Sequence, residues 1–288
     1  MMQREYYYLI AGLPDLFIDQ ESKGFNLVGL KEEMQELMHP KDYSLVELFF
    51  LEYDNHNFLN QLLNRKQEFI PVGKFSEDFF KELDDNYQEL PSYMQEFYLW
   101  YKNKQKEENE SDSGASTSDD QAEKSPEVLF QEYFFDFIQS YDNRFISQWY
   151  SFKRDLNNIL TAINCRKHDV NIESQLIGKG DLVDTLARSQ TPDFGLKKEV
   201  DYLDNILQIS ELDDILERER RIDTLKWEKA DDLTTFDYFN AEKVLSFVVK
   251  AGIVYRWTKL DAKVGKEMFK KLVTELRETY QLPKEFAK

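Results

Sequence analysis

The sequence predicts an all-α fold, and three features indicate it. Gly and Pro are scarce, with 10 and 7 among 288 residues, whereas β-sandwiches, barrels and propellers need a turn about every 8 to 12 residues. Hydrophobic residues make up 41% of the chain, so there is enough apolar surface to form a core. Apolar residues also recur at the helical spacings of three and four. Long helices are therefore the expected elements.

The first half of the chain contains three clear helix starts and one ambiguous segment. Residues 6–13 are too few for periodicity to distinguish a short strand from a buried helix. Ser76 and Pro91 each precede an aromatic set that is spaced for one helical face. Ser125 is followed by Pro and Glu, which together give an N-cap, a favoured first helical residue and a favourable charge. We expect a helix to begin at each of these three points.

The second half of the chain has the strongest periodicity. One seam has spacings of 4, 3, 4, 3 and 4 and predicts a long helix that faces the core: Phe145, Trp149, Phe152, Leu156, Ile159 and Ile163. Shorter seams predict further helices around residues 196–207, 212–225, 244–255 and 260–276.

An acidic segment divides the chain. Residues 103–127 consist mainly of Lys, Glu, Asp, Ser and Gln, and a segment of this composition cannot bury a core. We expect it to be a flexible, disordered acidic insertion. The predicted organisation is a first helical lobe at residues 1–102, the insertion at 103–127, a second lobe at 128–190 and a third helical segment at 191–288, all within one continuous helical structure.

Charge and hydropathy exclude several classes of protein. Asp and Glu number 55 against 37 Lys and Arg, a net charge of -18, which would repel nucleic acid. No apolar run approaches the roughly 18 to 20 residues that cross a bilayer, and the start of the sequence lacks the pattern of a signal peptide. We therefore expect no nucleic-acid partner, no transmembrane segment and a cytoplasmic location.

Motifs for catalysis are nearly absent. None of the three Gly-Lys pairs is followed by Ser or Thr, so no phosphate-binding loop of the P-loop type is present. Three His residues without ligand spacing and a single Cys give no zinc framework. We predict no catalytic residue, no cofactor and no metal site, and hence a protein that is not an enzyme.

One enzymatic alternative remains. Asp213, Asp214 and Glu217 have the spacing with which helical enzymes hold Mg²⁺ for prenyl diphosphate substrates. A solvated helix face with Glu–Arg pairs explains the same residues better.

The most informative feature is an internal repeat. Residues 52–66 match residues 153–167, which lie 101 positions later, and the match places Asp54 and Asn57 opposite Asp155 and Asn158. Asp and Asn at positions i and i+3 share one side of a helix and can hydrogen-bond each other or the backbone of a neighbouring helix. The repeat predicts two related helices, with chance similarity of two amphipathic helices as the alternative.

The repeat and the N-terminal residues resemble a known family. Residues 6–16, YYYLIAGLPDL, look like the opening of a bacterial family that is encoded with V-type ATPase operons. The duplicated segments are similar to helices of the C subunit, called d in eukaryotes, of V/A-type rotary ATPases. The resemblance implies related helical lobes in a pseudo-repeated, funnel-like arrangement. It further implies a non-catalytic subunit that couples the central D/F shaft to the membrane rotor ring and transmits torque for ion transport, peripheral on the cytoplasmic face of the inner membrane.

Four aromatic residues are candidate partner contacts. Exposed Tyr and Trp are favoured at protein interfaces, and the residues at the edges of the seams or outside them are Tyr98, Trp100, Trp227 and Trp257. Core packing is the competing interpretation for each. The alternative function is a general helical adaptor or scaffold that is unrelated to a rotary motor, and a Mg²⁺-dependent prenyl diphosphate enzyme is the third.

Overall fold

The computed structural model describes residues 4–18, 25–110 and 124–259, and within these ranges the chain forms helices joined by turns, with no strand. The predicted all-α fold is confirmed. In chain order the α-helices are α1 (Tyr7–Gly12), α2 (Leu27–Leu37), α3 (Pro40–Leu62), α4 (Glu77–Lys81), α5 (Leu83–Asn86), α6 (Ser92–Glu110), α7 (Pro126–Gln139), α8 (Arg144–Lys167), α9 (Asp181–Arg188), α10 (Leu203–Ser210), α11 (Ile215–Asp232) and α12 (Ala241–Lys259). None of these helices is both long enough and apolar enough to cross a bilayer.

Two of the three predicted helix starts have side-chain caps. The hydroxyl of Ser76 accepts a hydrogen bond from the backbone N–H of Phe79 at 3.2 Å, at the start of α4. Ser125 caps α7 in the same manner, and α6 begins directly after Pro91. A cap of this kind satisfies an amide that has no partner within the helix. All three predicted starts are confirmed.

The ambiguous N-terminal segment is helical. Residues Tyr7–Gly12 form α1, and Leu9 is buried against the core. A strand at this position would have no partner, because the part of the chain that the structure describes contains no other strand. The backbone N–H of Tyr6 instead donates to the carbonyl of Phe239, which ties the start of the chain to the start of α12.

The helix predicted around residues 196–207 is only partly correct, because α10 begins at Leu203. The chain before it forms separate turns, in which the N–H of Val200 donates to the carbonyl of Leu196 at 3.0 Å and the N–H of Leu203 donates to the carbonyl of Val200 at 3.1 Å. These turns do not join into one helix. Leu196 and Val200 are nevertheless buried. Their spacing therefore reflects burial of successive turns rather than one helical face.

Helical structure extends into the segment predicted to be an acidic insertion. α6 continues to Glu110, which is consistent with the high helix propensity of the Lys, Glu and Gln residues there. At the other end, the ammonium of Lys124 donates to the carbonyl of Leu176 at 3.0 Å and pairs with Glu132. Residues 111–123 and the helix predicted at 260–276 lie outside the described residues.

The two helices of the repeat lie at the centre of the fold. α3 packs against α2, α4 and α12, and α8 packs against α7, α9, α10 and α11. The hydroxyl of Tyr150 in α8 donates to the carbonyl of Leu48 and to the carboxylate of Glu52, both in α3, at 3.3 and 3.1 Å. Five residues of the α8 seam are buried and Ile163 is partly buried, each contributing about 1.5–3 kcal/mol when buried completely. The predicted core-facing helix is confirmed.

Candidate protein-interaction site

The first copy of the repeat fixes a loop to its own helix. The side-chain NH2 of Asn57 donates to the carbonyl of Ile70 at 2.9 Å, and the side-chain oxygen of Asn57 accepts from the backbone N–H of Ile70 at 2.9 Å. Asn57 is buried in α3, so the bonds form away from water. One side chain thereby satisfies both backbone groups of one loop residue.

The second copy does the same. Asn158 is buried in α8, donates to the carbonyl of Ile177 at 2.9 Å and accepts from the N–H of Ile177 at 2.8 Å. The sequence similarity between the two segments thus corresponds to one structural device that is used twice. The bonds connect each helix to the loop that follows it, rather than to a neighbouring helix or to the Asp of the motif.

The aspartates of the repeat differ from each other. Asp54 is fully buried and accepts hydrogen bonds from the backbone N–H groups of Lys74 and Phe75 at 2.8 and 3.2 Å. Burial raises the pKa of Asp54 to about 6, although these hydrogen bonds oppose the shift. Asp155 is partly exposed and pairs with Arg154, its neighbour in the helix. Only the first copy therefore uses its carboxylate to hold the loop.

The geometry of the repeat is that of a structural anchor. Each of Asp54, Asn57 and Asn158 is occupied by backbone groups of its own loop. No three His, Cys, Asp or Glu side chains in the described part of the chain form a group that could hold a metal ion. The repeat motif thus stabilises the helical frame, and the chemistry of recognition has to be sought at the surface.

The four aromatic candidates from the sequence are partly or fully buried. Tyr98 is buried and stacks on Tyr87, with ring centroids 4.7 Å apart. Trp100, Trp227 and Trp257 are partly buried and contact the core. The indole N–H of Trp257 donates to the buried carboxylate of Asp223 at 2.9 Å. Their role as partner contacts stays a prediction, and the structure does not bring them together in one patch.

A different aromatic set is exposed. The aromatic surface, as we name it, consists of Tyr7 and Tyr8 of α1 together with Phe236, Tyr238 and Phe239 of the turn before α12. The exposed fractions of Tyr8 and Phe236 are 82% and 88%. The two parts meet where Tyr7 lies against Phe239, with ring centroids 4.4 Å apart. Side chains of this size are seldom grouped in water without a partner.

Hydrogen bonds fix the turn that carries three of these rings. Arg144 at the start of α8 donates to the carbonyl of Leu233 at 3.1 Å and forms an ion pair with Asp237. The buried Asn240 donates to Asp237 at 2.6 Å and accepts from the N–H of Lys243 at 3.1 Å, at the start of α12. Asp237 and Asn240 have the same spacing as the Asp and Asn of the repeat, and here the pair forms a turn and a helix cap. These bonds fix the backbone of the turn from which the three rings project.

The α1 half of the aromatic surface is fixed as well. The hydroxyl of Tyr6 donates to Asp42, in the first turn of α3, and accepts from the backbone N–H of His39 at 3.3 Å. Burial, together with the Asp42 carboxylate, raises the pKa of Tyr6 to about 12, so the phenol stays protonated near neutral pH. α1 is thereby attached to α3 on one side and to Phe239 on the other.

The sequence analysis did not predict this surface, because apolar periodicity identifies buried helix faces and does not identify exposed aromatic residues. The available signal was the position of the rings: Tyr7, Tyr8, Phe236, Tyr238 and Phe239 lie in a short N-terminal segment and in a turn, outside the long helical seams. Aromatic residues that belong to no seam are candidates for exposure.

The carboxylates considered for Mg²⁺ have a local role. Asp214 is the N-cap of α11, where one carboxylate oxygen accepts from the N–H groups of Leu216 and Glu217 at 2.8 and 3.3 Å. The side chain of Glu217 pairs with Arg221 one turn later. The predicted solvated face with Glu–Arg pairs describes these contacts.

Comparison with known proteins gives a family. A family model described as "Protein of unknown function (DUF2764)" matches residues 2–280, whereas no curated protein and no solved structure matches the chain. The assignment to the family of the C (or d) subunits of V-type ATPases is therefore wrong, since the family that spans nearly the whole chain is another one. The motifs that suggested it are short. In these motifs Asn57 and Asn158 attach loops to helices. Helical proteins of unrelated families also have loops that must be attached.

Proposed function

We propose a function on the premise that the chain belongs to the family described as "Protein of unknown function (DUF2764)": the protein is a non-catalytic helical adaptor that binds a partner protein through its aromatic surface. The single observation that carries the proposal is the group of five exposed rings on α1 and on the turn before α12. Aromatic side chains bury about 150–250 Å² each and are enriched among the residues that contribute most to binding.

The rigidity of the support favours a binding role. The turn is held by Arg144, Asp237 and Asn240, and α1 is held through Tyr6. A surface that is ordered before binding loses less conformational entropy in the complex. Rings that served only to fill space would be expected in the core, where most of the other aromatic residues that the structure describes are packed.

The first complex to test is a V-type rotary ATPase. In this form of the proposal the protein couples the D and F subunits of the central stalk to the membrane rotor ring, transmits torque for ion transport, and lies peripherally on the cytoplasmic face of the inner membrane. A coupling part needs stiff helices, and Asn57 and Asn158, which clamp loops to α3 and α8, supply such stiffness. An adaptor of an unrelated complex satisfies the same observations.

Site-specific crosslinking tests the proposal. A photoreactive benzoyl-phenylalanine replaces Tyr238 in the full chain, which is then irradiated with native membranes and cytoplasm, and crosslinked partners are identified by mass spectrometry. The matched control carries the same group at Ile215, which is 65% exposed at the far end of α11. That helix has 18 residues and is therefore about 27 Å long. Ile215 is its first residue, whereas Tyr238 lies in the turn that follows its last residue, Asp232.

Each outcome is informative. A specific crosslink from position 238 to the D subunit, the F subunit or the rotor ring supports the coupling role. A specific crosslink to another complex retains the adaptor but excludes the rotary motor. Equal labelling from both positions, or none, rejects the aromatic surface as an interface. A non-catalytic role further predicts that the purified chain hydrolyses no ATP.

A further inference from the structure

A second feature of the surface is a groove between four helices. It has a volume of about 460 Å³ and is formed by residues of α3, α8, α11 and α12, with one residue each from α2 and from the loop after α3. Its apolar walls include Phe49, Phe50, Tyr53, Trp149, Val249 and Tyr255. We name it the α12 groove, because α12 supplies one complete side. The size and the apolar walls are typical of a site that receives side chains or a small ligand.

The charges in the α12 groove are opposite to those of the whole chain. Among the residues that line it, two are carboxylates, Glu52 and Asp223, and four are cations: Lys153, Lys226, Arg256 and Lys259. Arg256 also pairs with Glu219, a carboxylate beside the groove, at 2.8 Å. The groove and its ion-pair partners therefore keep an excess of one positive charge, whereas the protein has a net charge of -18. At physiological ionic strength charges interact over about 8 Å, so a ligand in the groove senses this local excess.

Ion pairs hold several of these cations in position. Lys226 lies 3.3 Å from the buried carboxylate of Asp223, which also pairs with Arg256. Lys153 pairs with Glu52 across the contact between α8 and α3. Lys259 is exposed at the end of α12 and lies over the ring of Tyr255, 5.4 Å from its centroid. The groove thus combines fixed charges inside with a cation at its rim.

We propose that the α12 groove binds an acidic amphipathic helix of a partner protein. The apolar walls would receive the residues that such a helix presents at positions i, i+3 or i+4, and i+7, and the cations would face its flanking Glu and Asp side chains. The groove is distinct from the aromatic surface: on α12 it extends from Val248 to Lys259, whereas the aromatic surface ends at Phe239. The inference therefore does not depend on the function proposed for those rings.

The test is a selection with charge-matched helical peptides. Two phage libraries share one randomised apolar face of Leu, Ile, Phe and Met, and differ only in that the remaining positions are Glu-rich or Lys-rich. The full-length protein is the bait, and the affinity of enriched peptides is measured by fluorescence anisotropy. We expect enrichment of Glu-rich sequences. No enrichment, or equal enrichment of both libraries, overturns the proposal.

Variants locate the binding site. Gly252 lines the groove, and a Cβ at this position would lie 3.6 Å from the hydroxyl of Tyr53, an ordinary contact. Gly252→Leu should therefore fill the groove and weaken binding on the order of tenfold or more. Lys259→Glu should weaken the binding of Glu-rich peptides, whereas the control Lys198→Glu, at an exposed position away from the groove, should not. Unchanged affinity in both groove variants would place the peptide elsewhere and overturn the proposal.

A separate control keeps the two surfaces apart. Phe236→Ser combined with Tyr238→Ser alters the aromatic surface and should leave peptide affinity unchanged, because both residues lie outside the α12 groove. Loss of peptide binding in this double variant would assign the peptide to the aromatic surface and reject the groove.

Discussion

Replacing Asp54 with Asn should change how the stability of the protein depends on pH. The carboxyl group of Asp54 is fully buried in α3, and burial raises its pKa from the ordinary value of 3.8 to about 6. Its partners are the N–H groups of Lys74 and Phe75. Asn has nearly the same shape but does not titrate, so the variant removes the ionisation. Its single amide oxygen can accept from only one of the two N–H groups, and this loss is the same at every pH.

The direction of the pKa shift of Asp54 determines how its contribution to the free energy of unfolding changes with pH. The folded protein holds the Asp54 proton more tightly than the unfolded chain, so the favourable contribution is complete below about pH 3.8 and is lost as the pH rises through 6. The two pKa values differ by about two, and each pKa unit corresponds to about 1.4 kcal/mol. The expected change in the free energy of unfolding is therefore about 3 kcal/mol.

Urea unfolding followed by circular dichroism measures this effect. Free energies of unfolding are determined for the wild-type protein and for Asp54→Asn at several pH values between 4 and 7.5, with linear extrapolation to water. The quantity of interest is the difference between the two proteins, because every other titrating group is common to both. We expect the wild-type protein to lose about 3 kcal/mol relative to the variant as the pH rises.

A comparison within the repeat sharpens the experiment. Burial also raises the pKa of Asp155, but this side chain is partly exposed and pairs with Arg154. Asp155→Asn should therefore show the same direction with a smaller amplitude. If the difference in unfolding free energy between the wild-type protein and Asp54→Asn does not change with pH, the raised pKa of Asp54 is refuted. A difference of opposite sign would show that the two backbone hydrogen bonds outweigh burial.

The other predictions concern the loops that the repeat holds. Gly73→Ala should destabilise the protein by about 3 kcal/mol, because a Cβ would lie 2.0 Å from the carboxylate oxygen of Asp54 and displace it. Gly252→Ala, whose Cβ would meet no atom at such a short distance, should stabilise α12 by up to about 1 kcal/mol. Equal effects of the two substitutions on the thermal unfolding temperature would contradict these expectations. Asn57→Ala and Asn158→Ala should each cost about 2–4 kcal/mol, since each leaves one backbone N–H and one carbonyl without a partner. A cost near zero for one of the pair in urea unfolding would show that the two copies are not equivalent.

Much of the fold could be predicted from the sequence because helices leave a periodic record. The seam that contains Phe145 and Leu156 gave the central helix α8, and the polar pattern of Ser125 and the Pro that follows it gave the start of α7. The helix predicted from the seam at 196–207 is wrong before Leu203, because buried residues in successive turns imitate a helical spacing. Local patterns record burial, but not always the element that achieves it.

The interaction site could be predicted much less well. The importance of Asn57 and Asn158 could be recognised from the repeat, but their partners could not, because Ile70 and Ile177 lie 13 and 19 residues further along the chain. The aromatic surface depends on the meeting of Tyr7 and Phe239, which are separated by more than 230 residues. No short-range pattern encodes such a contact, and only the folded chain shows it.

The contact between Tyr7 and Phe239 has a consequence for the synthesis of the protein. Ribosomes synthesise the chain from its N-terminus, so α1 emerges more than 220 residues before the turn that contacts it. Until residues 236–239 have left the ribosome, the backbone N–H of Tyr6 has no carbonyl to receive it and three of the five rings are missing. The binding that we propose for these rings therefore has to wait until residue 239 has been translated.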